Sequence, residues 1–183
     1  MARLRKRFAV AAAAALVAAT GASTADATTL DIEGQAQQNT NWCWAATGNS
    51  IADYWGVGVS QNTFCDLAFG YDTRYACPNN QATLANDQQA FDELGISPGR
   101  YTGVVSASAV NNEIQSGRPM NTRIQWSSGG GHMMAIYGYD ARSGALNYYN
   151  PWPDDNRYNT ATYNWYRSNN QFTWTHSLYG IGA

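Results

Sequence analysis

The spacing of apolar residues changes at Pro119, and that change limits the fold more than any other feature of the chain. Before it, apolar positions recur at helical intervals. Trp44, Gly48, Ile51 and Trp55 share one helix face, which Gly56 and Gly58 end. A second helix is predicted after Ser60, with Phe64, Leu67 and Ala68 turned inward. Leu84, Gln88, Phe91 and Leu94 mark a third, closed by Gly95, and Ser108–Ser116 a fourth, stopped by Gly117. After Pro119 the pattern has period two. Met120, Thr122, Ile124 and Trp126 share a face, and His132, Met134, Ile136 and Gly138 alternate with Met133, Ala135, Tyr137 and Tyr139. Leu146–Asn150, Thr160–Tyr166 and Phe172–Tyr179 read as further strands. Turn signals at Ser128–Gly131, Asp140–Gly144 and Pro151–Asn156 separate these runs. Helices followed by antiparallel strands predict an α+β fold rather than alternating βα units.

The first 27 residues stand apart from this pattern. Arg3, Arg5, Lys6 and Arg7 precede an uncharged apolar run, Phe8–Ala19, and Ala25-Asp26-Ala27 supplies small residues at a cleavage position. That is the layout of a secretory signal peptide, with cleavage expected after Ala27 or, alternatively, Ala22. The run is too short and too Ala-rich for a stable membrane anchor, and no later stretch reaches the length of a membrane span. Residues 28–36 read as a short polar lead, and 37–183 as one domain.

Of 13 acidic and 11 basic residues, the first segment holds one and four, so the remainder carries a net charge of −5. A mildly acidic, exported chain has no basic face for nucleic acid or anionic lipid. Charged residues are only 13%, while seven Trp and twelve Tyr are present, which excludes a disordered chain. The three cysteines, Cys43, Cys65 and Cys77, are an odd count. In an exported protein that predicts one disulfide and one free thiol, and parity alone does not say which.

Cys43 sits where a helix is predicted to begin. There the positive end of the helix dipole and unpaired backbone N–H groups favour thiolate over thiol. Gln37, or its neighbour Gln38, could set an amide N–H beside the Cys43 backbone N–H as a two-donor oxyanion hole. A thiol nucleophile needs a base, and the base needs an orienting group. Two histidines are available. His132 follows three glycines and opens a strand, whereas His176 lies within the last strand pattern and reads as structural. The carboxamide of Asn150, at the end of a neighbouring predicted strand, could accept from one ring nitrogen of His132 and leave the other facing Cys43.

Taken in order, Gln37-x5-Cys43-Trp44-Ala45, Gly117-Arg118-Pro119, Gly131-His132-x5-Gly138-Tyr139-Asp140 and Asn150-Pro151-Trp152 resemble the papain-like cysteine peptidases of bacteria. The secreted and effector-type branch carries the Asn-Trp-Cys-Trp-Ala-Ala motif found here at Asn41–Ala46. The resemblance implies a papain-like fold, with an N-terminal helical half carrying the nucleophile helix packed on a C-terminal antiparallel sheet. It implies Cys43 as nucleophile, His132 as base, Asn150 as orienter and Gln37 as oxyanion donor. Many relatives have Asp where this chain has Asn150, which deprives His132 of a negative partner. Relatives also tend to carry cysteines near Cys65 and Cys77. With Cys43 as nucleophile, those two are expected to pair.

The expected function is therefore a secreted cysteine peptidase that acts on protein or peptide through a thioester acyl-enzyme. Two other readings share the constellation: a cell-wall amidase or endopeptidase, and a catalytically dead papain-like binding module. No cofactor or metal is expected. There is no Cys-x-x-Cys or His-x-x-x-His spacing, Gly129–Gly131 lacks the lysine of a phosphate loop, and Asp154-Asp155 reads as a solvated turn.

Overall fold

The structure, a computed structural model, describes residues 27–182. Except for its last residue, the expected signal peptide lies outside them. The chain enters through a two-residue strand, β1 (Thr28–Thr29), and then forms helices α1 (Cys43–Tyr54), α2 (Gln61–Phe69) and α3 (Leu84–Glu93). Ser60 caps α2 by accepting from the Thr63 N–H, and Gly70 ends it in the left-handed conformation at φ 66°. Thr83 and Asn86 form a capping box on α3. Strand β2 (Pro98–Thr102) and helix α4 (Ala107–Gln115), capped by Ser106, follow. Then come β3 (Met120–Trp126), β4 (Gly131–Asp140), β5 (Ala145–Tyr149), β6 (Tyr158–Thr162), α5 (Tyr163–Arg167) and β7 (Phe172–Ile181).

These strands form one antiparallel sheet in the order β2-β7-β3-β4-β5-β6, and β1 also pairs with β4. β3 occupies β4 from Gly131 to Ile136, and β1 pairs with it at Gly138 and Tyr139. The polar lead is thus built into the domain: Leu30 N–H donates to Tyr137 O, and Ile32 is buried.

The α+β division holds, with two additions and one correction. β1 and β2 are too short to show alternation in the sequence. The strand expected over Thr160–Tyr166 ends at Thr162, whose hydroxyl accepts from the Trp165 N–H and starts α5. That hydroxyl offers the backbone a helical turn in place of a sheet ladder, and the turn drives Tyr166 into the core, fully buried.

The sheet has a core on each face. Met133, Ala135 and Tyr137 of β4 pack with α1, α2 and α3, joining Trp44, Ile51, Phe64 and Phe91. Met134 and Ile136 pack on the other side with Val110 and Ile114 of α4, Tyr166 of α5 and Trp174 of β7. Gly48 allows α1 and α2 to approach closely: a Cβ there would lie 2.4 Å from Phe64 Cζ. Gly117-Arg118-Pro119 serves this framework. Gly117 closes α4, and Arg118 pairs with Glu113 at 2.9 Å, whose carboxylate also accepts from Gly180 N–H on β7.

Candidate active site

The first residue of α1 is Cys43. Every other described helix has a side chain capping its N-terminus, but Trp42, at the cap of α1, offers none. The first-turn N–H groups of α1 are left for other partners. Those of Trp44 and Cys43, with Met133 N–H of β4, are directed at the Cys43 sulfur.

The segment leading into α1 is clamped from outside. The indole N–H groups of Trp42 and Trp44 donate to the carbonyls of Pro78 and Asn80 at 3.2 and 3.0 Å. Asn41 donates two hydrogen bonds of 2.9 Å to Asn79, from its backbone N–H to Oδ1 and from Nδ2 to the carbonyl, and Asn79 Nδ2 donates to Thr40 Oγ1. This clamping loop follows Cys77, which is disulfide-bonded to Cys65; Cys43 is free, as expected.

His132 opens β4 beside Cys43, and the two line one cleft of about 260 Å³. The imidazole lies between two indoles. Trp126 stacks on it at 5.7 Å and 29°, and Trp152 meets it edge-on at 6.0 Å and 75°. Trp152 is 40% exposed, so it is a lid over the ring rather than core.

His132 Nε2 is 2.7 Å from Asn150 Oδ1. The amide orientation is fixed from behind, because Asn150 Nδ2 donates to Asp155 Oδ2 at 2.9 Å. Oδ1 also accepts from the Trp152 N–H. An oxygen facing Nε2 makes that nitrogen the N–H donor, which leaves Nδ1 as the basic atom. Arg157 braces the segment by donating from Nη1 to Asn150 O at 2.8 Å.

Gln37 is buried and Gln38 exposed, which separates the two neighbours. Gln37 is not among the residues lining the cleft. Its backbone N–H donates to Pro151 O, and its Nε2 donates to the carbonyls of Asn39 and Thr40 at 2.9 and 3.0 Å. In this state both amide hydrogens shape the turn that enters α1. His176 is not among the residues lining the cleft; it is the strand partner of Arg123, lies 3.0 Å through Nδ1 from Thr175 Oγ1, and stacks on Tyr101 of β2 at 5.4 Å.

The electrostatics differ from the sequence expectation of a thiolate. Burial pushes the Cys43 thiol up to about 11, outweighing the N–H groups of Met133 and Trp44 that act to lower it. Burial also holds His132 below its ordinary value, against the Asn150 hydrogen bond and the Asp155 charge. A desolvated site disfavours a charge on either group, so burial acts toward thiol and neutral imidazole. Trp126, Asp155, Arg157 and the clamping loop were not identifiable as site components from sequence. Their only local signal was the acidic, Pro-bounded turn after Asn150.

Among the described residues no group of His, Cys, Asp and Glu could hold a metal ion, and no helix is long and apolar enough to cross a membrane.

A free cysteine at an uncapped helix start, sharing a cleft with a histidine on an antiparallel sheet, defines a thiol hydrolase of the papain-like class. The chain belongs to the family described as papain-like cysteine protease AvrRpt2, whose model matches residues 24–171. No curated protein sequence matches significantly. Two solved structures are similar in fold. One is the peptidase domain of Streptococcus ComA, a bifunctional ABC transporter involved in a quorum-sensing pathway. It has 16% identity, TM-score 0.55, and coverage of 79% of this chain and 95% of that one. The other is a double-glycine-motif protease from an AMS/PCAT transporter in complex with the leader peptide. It has 12% identity, TM-score 0.53, and coverage of 85% and 95%. The chain is thus a cysteine peptidase by family, and its α+β fold is that of peptidase domains.

Proposed function

We propose that this peptidase is exported and cleaves peptide bonds through Cys43, His132 and Asn150, by way of a thioester on Cys43. The observation that carries the reading is the 2.7 Å contact of His132 Nε2 with Asn150 Oδ1, made while His132 and Cys43 line the same cleft. Nδ1 takes the thiol proton as Sγ attacks the scissile carbonyl, so the ion pair forms during attack rather than before it. The backbone N–H groups at the start of α1 are close at hand for the oxyanion. Gln37 acts as the further donor by exchanging one of its two carbonyl partners for that oxygen. Nδ1–H then protonates the leaving amine. Water, deprotonated by the same nitrogen, attacks the thioester and restores the thiol. Export is supported by the basic and apolar N-terminal run and agrees with the Cys65–Cys77 bond.

The test is cleavage of a mixed peptide library read by mass spectrometry, with alkylation of Cys43 by iodoacetamide as a second readout. Cys43→Ala is expected to abolish cleavage and His132→Ala to lower it by about a hundredfold or more. His176→Ala should retain most activity. Cleavage of cell-wall fragments without cleavage of any peptide would overturn the substrate class. Full activity of folded Cys43→Ala would overturn the mechanism.

A further inference from the structure

The cleft that holds Cys43 and His132 has a single charged side chain in its walls, Arg123 of β3, and no carboxylate. Arg123 is held by neutral groups only. Its Nη1 donates to Thr175 Oγ1 at 3.1 Å and its Nη2 to Gln125 Oε1 at 3.2 Å. Among the described residues this guanidinium makes no hydrogen bond or ion pair to a carboxylate.

Its place is set by the residue before the base. A Cβ on Gly131 would lie 2.5 Å from Arg123 Nη2 and 2.7 Å from Cζ, so only glycine lets the guanidinium lie against the backbone next to His132. Thr175 Oγ1 also donates to Arg123 O at 3.0 Å, which ties the head of the side chain back to its own strand. The cation is therefore pre-positioned. A guanidinium has five N–H donors in a planar fork, and the two bonds above leave donors free for a carboxylate. The indoles of Trp126 and Trp152 line the same cleft, and low-polarity walls strengthen a charge-assisted bond.

We propose that Arg123 is a specificity residue that binds a carboxylate of the peptide substrate close to the scissile bond, so that the enzyme prefers acidic cleavage sites. The proposal rests on the peptidase reading of the site. The carboxylate could belong to an Asp or Glu side chain or to the C-terminus of a short peptide.

The experiment compares kcat/KM for matched peptides that carry Glu, Gln or Lys at each position flanking the bond. Each is made with an amidated and with a free C-terminus. Wild type is expected to favour Glu over Gln by roughly tenfold or more at one flanking position. Arg123→Gln should bring that ratio near one, Arg123→Lys should retain part of it, and Arg123→Glu should turn the preference toward Lys. The ratio is internal to each variant, and circular dichroism reports whether each is folded. A preference confined to free C-termini assigns the terminal carboxylate; one that survives amidation assigns the side chain. Equal turnover of Glu and Gln peptides by wild type, or an undiminished ratio in folded Arg123→Gln, would overturn the proposal. Absence of cleavage of every peptide, neutral ones included, would instead overturn the peptidase reading beneath it.

Discussion

At the scale of single residues, burial disfavours charge on both Cys43 and His132, and the proposed orienter Asn150 is itself held by Asp155. Asn150 gives His132 no charge of its own, but the carboxylate that holds its amide, Asp155, lies one hydrogen bond further out and acts to raise the imidazole. Because burial holds His132 below its ordinary value, the acid limb of kcat/KM is expected below about pH 6.5. With the thiol near 11, activity should persist well into the alkaline range. Asp155→Asn removes a nearby negative charge and makes imidazolium less favourable, so that limb should move to lower pH. From the triad alone, Asn150→Asp would be expected to retain activity. In this structure it would set a carboxylate against Asp155 and delete the donor between them. The single variant should therefore lose about tenfold in rate. Asn150→Asp/Asp155→Asn should recover it, because the donor and the charge have exchanged places, with its acid limb above that of wild type. Matched pH–rate profiles of the four proteins check this; additive losses in the double variant would count against it. That Cys43 and His132 line one cleft and that His132 meets Asn150 could be anticipated from sequence, because each stands in a distinctive local context: a helix start, a Gly-rich strand entry and a strand end. Asp155 could not be, because a turn of two acids reads as solvated until the path of Pro151–Asn156 shows which amide it meets.

At the scale of elements, the helices carry the clearest division of labour. Four are closed at their N-termini by their own sequence, and α1 is left open at the Cys43 sulfur. Helix existence was readable from apolar spacing. The uncapped start of α1 became meaningful only beside the capped ones. α3 meets β3 through a buried pair: Asn121 Nδ2 donates to Asp87 Oδ2 at 2.7 Å, while Asp87 Oδ1 and Asn121 Oδ1 have no partner. Burial drives the Asp87 carboxyl well above its ordinary value. A protonated Asp87 donating to Asn121 Oδ1 would satisfy both orphaned oxygens. A raised carboxyl favours the folded state below the unfolded value and loses that advantage as pH rises through the folded one. Asp87→Asn keeps an acceptor and supplies a permanent donor. Its melting temperature should exceed that of wild type at pH 8 by on the order of a few degrees, with the gap closing toward pH 4. Thermal unfolding at both pH values tests the sign.

At the scale of the whole molecule, the sheet is a partition between two cores, and the cleft lies where His132 at the head of β4 meets the start of α1. Alternation along β3, β4 and β7 revealed the sheet, yet the pairing of β1 with the far end of β4 and of β2 with β7 depends on tertiary contacts that two- and five-residue strands do not announce. The sulfur atoms are distributed across this architecture with a consequence for where it can work. The loop that holds both indoles flanking Cys43 follows a cysteine tethered by Cys65–Cys77, so its hold on the start of α1 is expected to be best while that pair is oxidised. Cys43, as the proposed nucleophile, is useful only while it is reduced. One chain thus asks its surroundings for both conditions, and mild poise satisfies both best. Titration with dithiothreitol from an air-oxidised sample is expected to raise activity to a maximum and then lower it, whereas a Cys65→Ala/Cys77→Ala protein should start lower and show only the rise. For such a chain the electron supply of its surroundings would itself act as a control on activity.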